Sequence, residues 1–267
     1  MKLLASLALA YVGVVALLYF AQERILVPGA GLPSPRLDHP RAPERLTLPG
    51  GDGAELHGML LRAPDTGADL LLGFGGNAQD AEILAQDLGV DFPDLHVGVF
   101  HYRGYGPSTG RPSEAALLAD ALTIHDTLTE RLRPARTYAI GISLGSAVAA
   151  WLSQERRLAG LILITPFDSI EAIAKEAYFW LPVGLLLRHR FPSIEFMAGH
   201  RTPVAVIAAE RDRVVRPERT KVLVERLPNL VFHRVLAGAA HNTLYQVPAY
   251  AEALKEAFAA VRAAAEG

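Results

Sequence analysis

Residues Thr137–Trp151 read TYAIGISLGSAVAAW, an apolar run with one serine between two glycines. The first part is typical of a buried strand and the rest of a helix, so residues 141–145 (GISLG) form a G-x-S-x-G motif at a strand-to-helix turn. Only small residues fit on either side of such a tight turn. In this setting the Ser143 hydroxyl stands at the edge of a sheet, and the stretch predicts a nucleophile.

Apolar strands alternate with helical segments on both sides of this motif. The chain opens its folded part with a predicted antiparallel pair, Arg45–Leu48 and Glu55–Arg62, around a PGGDG turn. The further predicted strands are Asp69–Phe74, Leu95–Phe100, Arg136–Ile140, Leu158–Ile164, Val204–Ala209 and Leu230–Val235. The predicted helices are Ala78–Leu88, Ser113–Arg131, Leu144–Gln154, Ser169–Phe179, Pro217–Arg226 and Pro248–Ala265. This alternation predicts an α/β fold with a mostly parallel central sheet and helices on both faces.

An acid and a base follow Ser143 in the order that suits this kind of sheet. Asp212 comes just past a strand in VAVIAAERDRVV, and His241 lies in the small-residue loop of RVLAGAAHNTLY. The order Ser, Asp, His is that of the serine triad on such a sheet. Asp168, after the preceding strand, is the alternative acid; Asp212 is favoured because it lies one strand before the histidine.

The glycine-rich loop in Leu70–Ala78 (LLLGFGGNA) follows another predicted strand. In hydrolases with the serine motif, backbone N–H groups from such a loop and from the residue after the nucleophile stabilise the tetrahedral oxyanion. Asn77 and Leu144 are therefore the predicted oxyanion residues. A plain glycine turn is the alternative, but it leaves three glycines around Phe74 without a reason.

The composition limits the other classes of function. The chain has 267 residues, no cysteine and a net charge of −2. The charge gives no reason to expect a nucleic-acid partner, and the lack of cysteine excludes disulfides, thiolate catalysis and Cys-ligated zinc. No metal or cofactor is implied. Hydrophobic residues make up 51% of the chain and the mean hydropathy is +0.21, which indicates a membrane segment beside one large α/β domain.

The N-terminal residues are the expected membrane segment. From Leu3 to Phe20 there is no charged side chain, and a helix of that length measures roughly 27 Å, enough to cross a hydrocarbon core. A cleaved signal peptide is the alternative, but the A-x-A sequence at residues 8–10 falls too early in the run. We expect a single-pass signal anchor at residues 1–22, a linker at 23–43 and a catalytic domain at 44–267. Lys2 favours a cytoplasmic N-terminus, which places the domain on the translocated side.

Residues 167–201 depart from the alternation of strand and helix and contain the run EAYFWLPVGLLLRHRF. Buried packing is one explanation for so apolar a run. Its place after a strand end favours a small lid over the carboxyl ends of the strands, where open α/β sheets bind ligands. Within the segment Tyr178–Leu187, Phe179 and Trp180 are the candidate substrate-binding residues.

Several motifs are shared with one known family. They are FHYRGYGPSTGRPSE (Phe100–Glu114), GISLGSAVA, TPFDSI, RDRVV and GAAHN, together with an apolar N-terminus that runs into QERILVPG. With these motifs the chain resembles, over nearly its whole length, the membrane-anchored branch of the α/β-hydrolase superfamily, which includes lysophospholipid lipases and protein depalmitoylases. The resemblance implies the α/β-hydrolase fold and assigns the triad to Ser143, Asp212 and His241 and an oxyanion role to Asn77.

Two positions depart from the pattern of that family. Gly75 stands where similar proteins have histidine, and His101 stands where they have aspartate. We expect the His101 ring to hydrogen-bond the loop of residues 75–77 and so replace the support of the missing histidine. In similar proteins the neighbouring loop braces the site without reacting, and the same role is expected here of Tyr102, Arg103 and Tyr105.

Together these features predict a membrane-tethered serine hydrolase that cleaves a carboxylic ester or thioester with an apolar acyl chain through an acyl-enzyme. The substrate is a small molecule or a lipid ester. A serine peptidase on the same fold is the first alternative. A catalytically inactive, membrane-bound binding module is the second, and a complete triad disfavours it.

Overall fold

The computed structural model describes residues 2–26, 41–199 and 201–267. Most of the predicted linker, residues 27–40, lies outside the described residues. Residues 23–26 belong to the first helix, which continues past the predicted end of the anchor to Leu26.

The described strands form one eight-stranded sheet in the order β1-β2-β4-β3-β5-β6-β7-β8. They are β1 (Glu44–Pro49), β2 (Glu55–Leu61), β3 (Leu70–Phe74), β4 (His96–Phe100), β5 (Thr137–Ile142), β6 (Gly160–Ile164), β7 (Val204–Ala209) and β8 (Leu230–Leu236). The β1–β2 and β2–β4 pairs are antiparallel, and the remaining pairs are parallel. The predicted mostly parallel sheet is confirmed, and β3 to β8 all present their carboxyl ends at one edge.

Helices connect the parallel strands, as the sequence pattern predicts. They are α2 (Ala81–Asp91), α3 (Glu114–Leu132), α4 (Leu144–Glu155), α5 (Ile170–Ala177), α6 (Val183–Leu186), α7 (Ser193–Phe196) and α8 (Pro217–Val224). Two more helices flank the sheet in the chain: α1 (Lys2–Leu26) precedes it and α9 (Ala249–Glu266) follows it. α2 begins three residues later than predicted because Asp80 caps it. The Asp80 carboxylate accepts hydrogen bonds from the N–H groups of Glu82 and Ile83 at 2.8 and 3.0 Å.

The hydrophobic core lies on both faces of the sheet. Side chains of α3, α4 and α8 pack on the face that carries Leu72, and those of α2 and α9 pack on the face that carries Leu71. Both leucines are fully buried, so β3 is apolar on each side. The strand ends are thereby fixed, and the loops that leave them are the ones placed to carry a site.

α1 is the one helix among the described residues that is long and apolar enough to span a membrane. The stretch Lys2–Gln22 has a mean hydropathy of 2.3. Leu3, Leu4 and Leu9 on this helix are each more than 70% exposed. An uncleaved anchor and a signal sequence share this composition.

The predicted lid, residues 167–201, contains α5, α6 and α7 between β6 and β7. Its far end is fixed to the start of α3, where the Glu114 carboxylate accepts hydrogen bonds from the N–H groups of Arg190 and Phe191 at 2.6 and 3.0 Å. Its middle, the segment Tyr178–Leu187 (the lid tip), carries several exposed apolar side chains. The lid tip therefore does not complete the core.

A buried ion pair ties the loop after β4 to α3. Arg103 Nε donates to Asp120 Oδ2 at 2.7 Å, and Arg103 Nη2 contacts Asp120 Oδ1. The two side chains are 5% and 4% exposed, and the hydrogen bond to Asp120 raises the pKa of Arg103. Because both charges are out of water, each depends on the other for its stability.

We expect Asp120→Asn to lower the free energy of unfolding by about 3–5 kcal/mol, because it leaves the Arg103 guanidinium buried without its counter-charge. Asp126→Asn is the matched control, since its ion pair with Arg156 lies at the surface, where such a pair contributes at most about 1 kcal/mol. Urea unfolding in detergent, followed by circular dichroism, measures both variants. Equal losses would contradict the structural role of the Arg103–Asp120 pair.

Candidate active site

Ser143 occupies a strained turn between β5 and α4. Its backbone has φ 49° and ψ −113°, a combination that L-residues rarely adopt. The Ser143 N–H donates to the Ile164 carbonyl at 2.9 Å, which secures the turn to the end of β6. The serine thus lies at the strand-to-helix turn that its motif predicts.

Two glycines permit this turn because α4 starts in backbone contact with the strand ends. A β-carbon on Gly145 would lie 2.0 Å from the Phe74 carbonyl oxygen, and one on Gly141 would lie 2.3 Å from the Gly145 carbonyl oxygen. Real β-carbons essentially never come within 3.0 Å of such atoms. Any side chain at either position would therefore push α4 away from the sheet.

His241 lies between Ser143 and Asp212. Its Nε2 is 3.0 Å from Ser143 Oγ, and its Nδ1 is 2.7 Å from Asp212 Oδ2. A carboxylate can only accept a hydrogen bond, so Nδ1 carries the proton and Nε2 is left to accept from the hydroxyl. The three predicted residues, from the loops after β5, β7 and β8, form one hydrogen-bonded chain.

Backbone hydrogen bonds fix the loops that carry the acid and the base. Asp212 is buried, and its Oδ1 accepts from the N–H groups of Val214 and Val215 at 2.9 and 2.8 Å. The Arg211 N–H donates to the Ala239 carbonyl at 2.8 Å and so joins the two loops. Asp212 is thereby held with its other oxygen directed at the imidazole.

Asp168, the alternative acid, is engaged elsewhere. Its Oδ2 lies 3.0 Å from Arg219 Nη1 on α8, and its Oδ1 accepts from the Ser169 N–H at 2.9 Å. This ion pair lies where the lid leaves the sheet. The geometry therefore favours Asp212 as the partner of His241.

An open cavity of about 820 Å³, including its mouth, adjoins Ser143. It is lined by Gly76, Asn77, Gln79, Ile142, Ser143, Val214, His241, Asn242 and Tyr245. The Leu144 side chain is buried, but its N–H belongs to the first turn of α4, where N–H groups have no partner within the helix. This helix start also favours negative charge. Asn77 lines the cavity beside Ser143, and Leu144 follows Ser143 at the start of α4; their oxyanion role stays a prediction.

Sequence reasoning did not identify Gln79, Asn242 and Tyr245 as cavity residues. The one sequence feature that could have indicated them is their position within four residues of Asn77 or His241. Gln79 also shapes the loop before it, because its Oε1 accepts from the Gly76 N–H at 2.8 Å. Within residues 2–26, 41–199 and 201–267, no three His, Cys, Asp or Glu side chains are grouped so as to hold a metal ion.

Two tyrosines from the loop after β4 support the loop that carries Asn77. Tyr102 Oη donates to the Gly75 carbonyl at 2.8 Å, and Tyr105 Oη donates to Asn77 Oδ1 at 2.7 Å. Burial holds the pKa of Tyr102 well above its ordinary value, so this hydroxyl stays protonated and remains a donor. This geometry fits the bracing role that the family resemblance implies for the two tyrosines.

His101 was expected to support the same loop. Its ring is buried and packs against Gly106, and burial lowers its pKa, so the imidazole is neutral near pH 7. The support seen for Gly75 and Asn77 comes from the tyrosines that follow it in the chain. Tyr102 and Tyr105 thus take the bracing role expected of them, and the hydrogen bond from His101 to residues 75–77 stays a prediction.

Phe179 and Trp180 lie away from the cavity. Among the described residues that line the cavity at Ser143, none belongs to the lid. Phe179 is 85% exposed, and the Trp180 ring packs edge-to-face on Tyr11 of α1, with ring centroids 6.3 Å apart. The expectation that these two residues line the substrate cavity is not met in this structure, because the lid tip packs against α1 instead.

Comparison with known proteins places this arrangement in a family. Residues 70–192, which include the turn at Ser143, match the family described as alpha/beta hydrolase fold. An uncharacterized protein of Mycobacterium tuberculosis is 35% identical over 249 residues, which cover 91% of this chain and 88% of that protein. The lysophosphatidylserine lipase ABHD12 of Danio rerio is 32% identical over 57% of this chain and 47% of its own length.

Solved structures show the same fold. The esterase Pf2001 of Pyrococcus furiosus aligns over 86% of this chain and 98% of its own, with a TM-score of 0.66 and 18% identity. At that identity the likeness concerns the fold alone. Together with the family match and the mycobacterial relative, it confirms the resemblance seen in the sequence: this chain belongs to the α/β-hydrolase superfamily.

Proposed function

We propose that this protein is a membrane-tethered serine hydrolase that cleaves a carboxylic ester or thioester with an apolar acyl chain. The observation that carries the proposal is the hydrogen-bonded chain from Ser143 through His241 to Asp212 beside an open cavity. Hydrolase activity follows from the family. The serine nucleophile, the tether and the class of substrate are the parts that we propose.

In the proposed reaction, His241 Nε2 takes the proton of Ser143 Oγ as that oxygen attacks the carbonyl carbon of the substrate. Asp212 holds the proton on Nδ1 and stabilises the imidazolium. The N–H groups of Asn77 and Leu144 stabilise the negative charge that develops on the carbonyl oxygen. The imidazolium then gives its proton to the leaving oxygen or sulfur, and water hydrolyses the acyl-enzyme through the same groups.

The proposed substrate class rests on the surroundings of the site. α1 is apolar enough to hold the domain at a membrane, and Lys2 at its start favours a domain on the translocated side. A lysophosphatidylserine lipase and an esterase are among the similar proteins. These features support an amphipathic ester, with a polar part that reaches Ser143 from water and an apolar acyl chain.

We expect Ser143→Ala to lower ester hydrolysis by roughly 10⁴–10⁶-fold and to abolish labelling by a fluorophosphonate probe, because the attacking oxygen is lost. Ser153→Ala is the matched control: this buried serine lies on α4, the helix that Ser143 precedes, and its hydroxyl donates to the Ala150 carbonyl. Mass spectrometry of the labelled wild-type chain identifies the modified residue. An adduct on another serine, or full activity in Ser143→Ala, would overturn the proposed nucleophile.

Substitutions of two buried aspartates distinguish the proposed catalytic acid from an aspartate that holds a structural ion pair. Asp212→Asn is expected to lower kcat by about 10⁴-fold, since an amide cannot stabilise the imidazolium and favours the wrong tautomer. Asp168→Asn loses the pair with Arg219, so it should lower the thermal stability and leave kcat nearly unchanged. Steady-state kinetics and thermal unfolding are measured on both variants. Comparable losses of kcat would mean that Asp212 is not the acid.

A substrate panel tests the chemical class. We expect kcat/KM for p-nitrophenyl esters and for acyl thioesters to rise with acyl length, because a longer apolar chain removes more surface from water on binding. We expect no cleavage of peptide p-nitroanilides in the same detergent, with Ser143→Ala as the blank. Preferred cleavage of the peptide substrates would make the protein a serine peptidase and leave the triad assignment intact.

A further inference from the structure

The lid tip, Tyr178–Leu187, makes polar contacts with α1 at two points. Tyr11 Oη donates to the Trp180 carbonyl at 3.3 Å, and Gln22 Nε2 donates to the Leu186 carbonyl at 3.2 Å. The contact therefore follows α1 from Gln22 back to Tyr11. Between these points an apolar groove of about 540 Å³, including its open side, is lined by side chains of both elements.

The end of the lid tip is joined to α1 by Arg188. Gln22 is buried, and its Oε1 accepts from the Arg188 N–H at 2.8 Å. The Arg188 guanidinium lies 5.2 Å from the centre of the Tyr19 ring. A glutamine, an arginine and a tyrosine thus meet at the end of α1 nearest the domain, which is the pattern of a membrane–water interface.

The length of the contact sets its depth in a bilayer. Tyr11 and Gln22 are roughly 17 Å apart along a helix axis. If Lys2–Gln22 spans a hydrocarbon core about 30 Å thick, Tyr11 lies near the middle of that core. A lid tip that touches both Tyr11 and Gln22 must then lie inside the leaflet on the side of the domain.

The composition of the lid tip suits that position. Its sequence, YFWLPVGLLL, has no charged residue, and the first charges on either side are Glu176 and Arg188. Phe179, Trp180 and Leu185 are 85%, 46% and 87% exposed. Together with the exposed Leu17 and Phe20 of α1, they form an apolar surface that is costly in water and stable in hydrocarbon.

The backbone of the lid tip is also suited to hydrocarbon, where each polar group needs a partner. Most of its N–H groups donate to carbonyls in or just before the segment; the donors are Tyr178, Leu181, Val183, Leu185, Leu186 and Leu187. Pro182 has no N–H to satisfy. The side chains of α1 supply donors for two carbonyls, those of Trp180 and Leu186. Arg190 Nη2 donates to a third carbonyl, that of Gly184, at 2.8 Å. α1 thus supplies part of the hydrogen bonding of this irregular segment.

We propose that the lid tip is embedded beside α1 in the acyl-chain region of the nearer leaflet, so that two elements hold the domain in the membrane. The groove between them then faces lipid acyl chains. This inference rests on the proposed anchoring by α1. It gives Phe179 and Trp180 a bilayer contact in place of the substrate contact expected from the sequence.

Tryptophan fluorescence tests the proposal, because the chain has two tryptophans, Trp151 and Trp180. Trp151 packs on Phe196 within the domain, with ring centroids 5.2 Å apart. The full-length Trp151→Phe and Trp180→Phe variants are reconstituted in phosphatidylcholine vesicles with or without bromine at mid-chain. We expect brominated lipid to quench most of the Trp180 emission in the first variant and to leave the Trp151 emission of the second unchanged.

Aqueous acrylamide, flotation and ester hydrolysis complete the test on the same vesicles. Trp180 emission that acrylamide quenches and brominated lipid does not would overturn the proposal. If such protein still floats with the vesicles and hydrolyses ester, the lid-tip proposal fails while the anchor and the function stand. Protein that does not float contradicts the anchor and the lid-tip proposal together. If Trp151→Phe fails to fold, the wild-type chain is compared with Trp180→Phe instead. The bromine quenching that the wild-type chain shows and Trp180→Phe lacks is then the quenching of Trp180.

Discussion

Where α4 meets the end of β3, the backbones of Gly145 and Phe74 come so close that no β-carbon fits between them. This contact fixes the start of α4, and it forces Ser143 into a conformation that costs roughly 1–3 kcal/mol. The strain persists because α4 is almost wholly buried against the sheet, through side chains such as Val148 and Leu152. The same contact sets the first N–H groups of α4 beside the Asn77 loop. The packing of α4 on β3 therefore positions both Ser143 and the loop proposed to hold the oxyanion.

Loops from neighbouring parallel strands supply the rest of the site. Asp212 and His241 leave β7 and β8 at the same edge of the sheet, and a backbone hydrogen bond between their loops keeps them in register. On the other side, Arg103 joins the loop after β4 to Asp120 on α3, and Tyr105 of that loop reaches Asn77. A buried ion pair is thus linked to the loop that carries Asn77 through a few residues.

The strands and the serine turn could be predicted from the sequence because their signals are local. A buried strand, a glycine pair and a helix start are each readable within a few residues. The preference for Asp212 over Asp168 followed from strand order; in the structure Asp212 contacts His241, and Asp168 pairs with Arg219. The helix that contains the predicted anchor continues to Leu26, because Glu23 and Arg24 end the apolar run but are good helix formers.

Contacts between distant segments could not be predicted in this way. The Tyr102 hydroxyl finds the Gly75 carbonyl because β3 and β4 are adjacent, and no sequence period encodes which side chain of the loop turns inward. The lid tip is a stronger case, since its partner lies more than half the chain away on α1. The apolar sequence of the lid tip is compatible both with a cover over the cavity and with a contact in the membrane.

The position of the lid tip bears on how an amphipathic substrate would meet the site. A tip folded over the cavity would bury Phe179 and Leu185, but it would lose the hydrogen bonds that Tyr11 and Gln22 make to its carbonyls. Those bonds contribute most where water is absent, because an unpaired carbonyl is costly in hydrocarbon. A bilayer therefore favours the tip on α1 and an open cavity. On the proposals made here, an ester would keep its acyl chain near the lipid while its carbonyl reaches Ser143 from the water side.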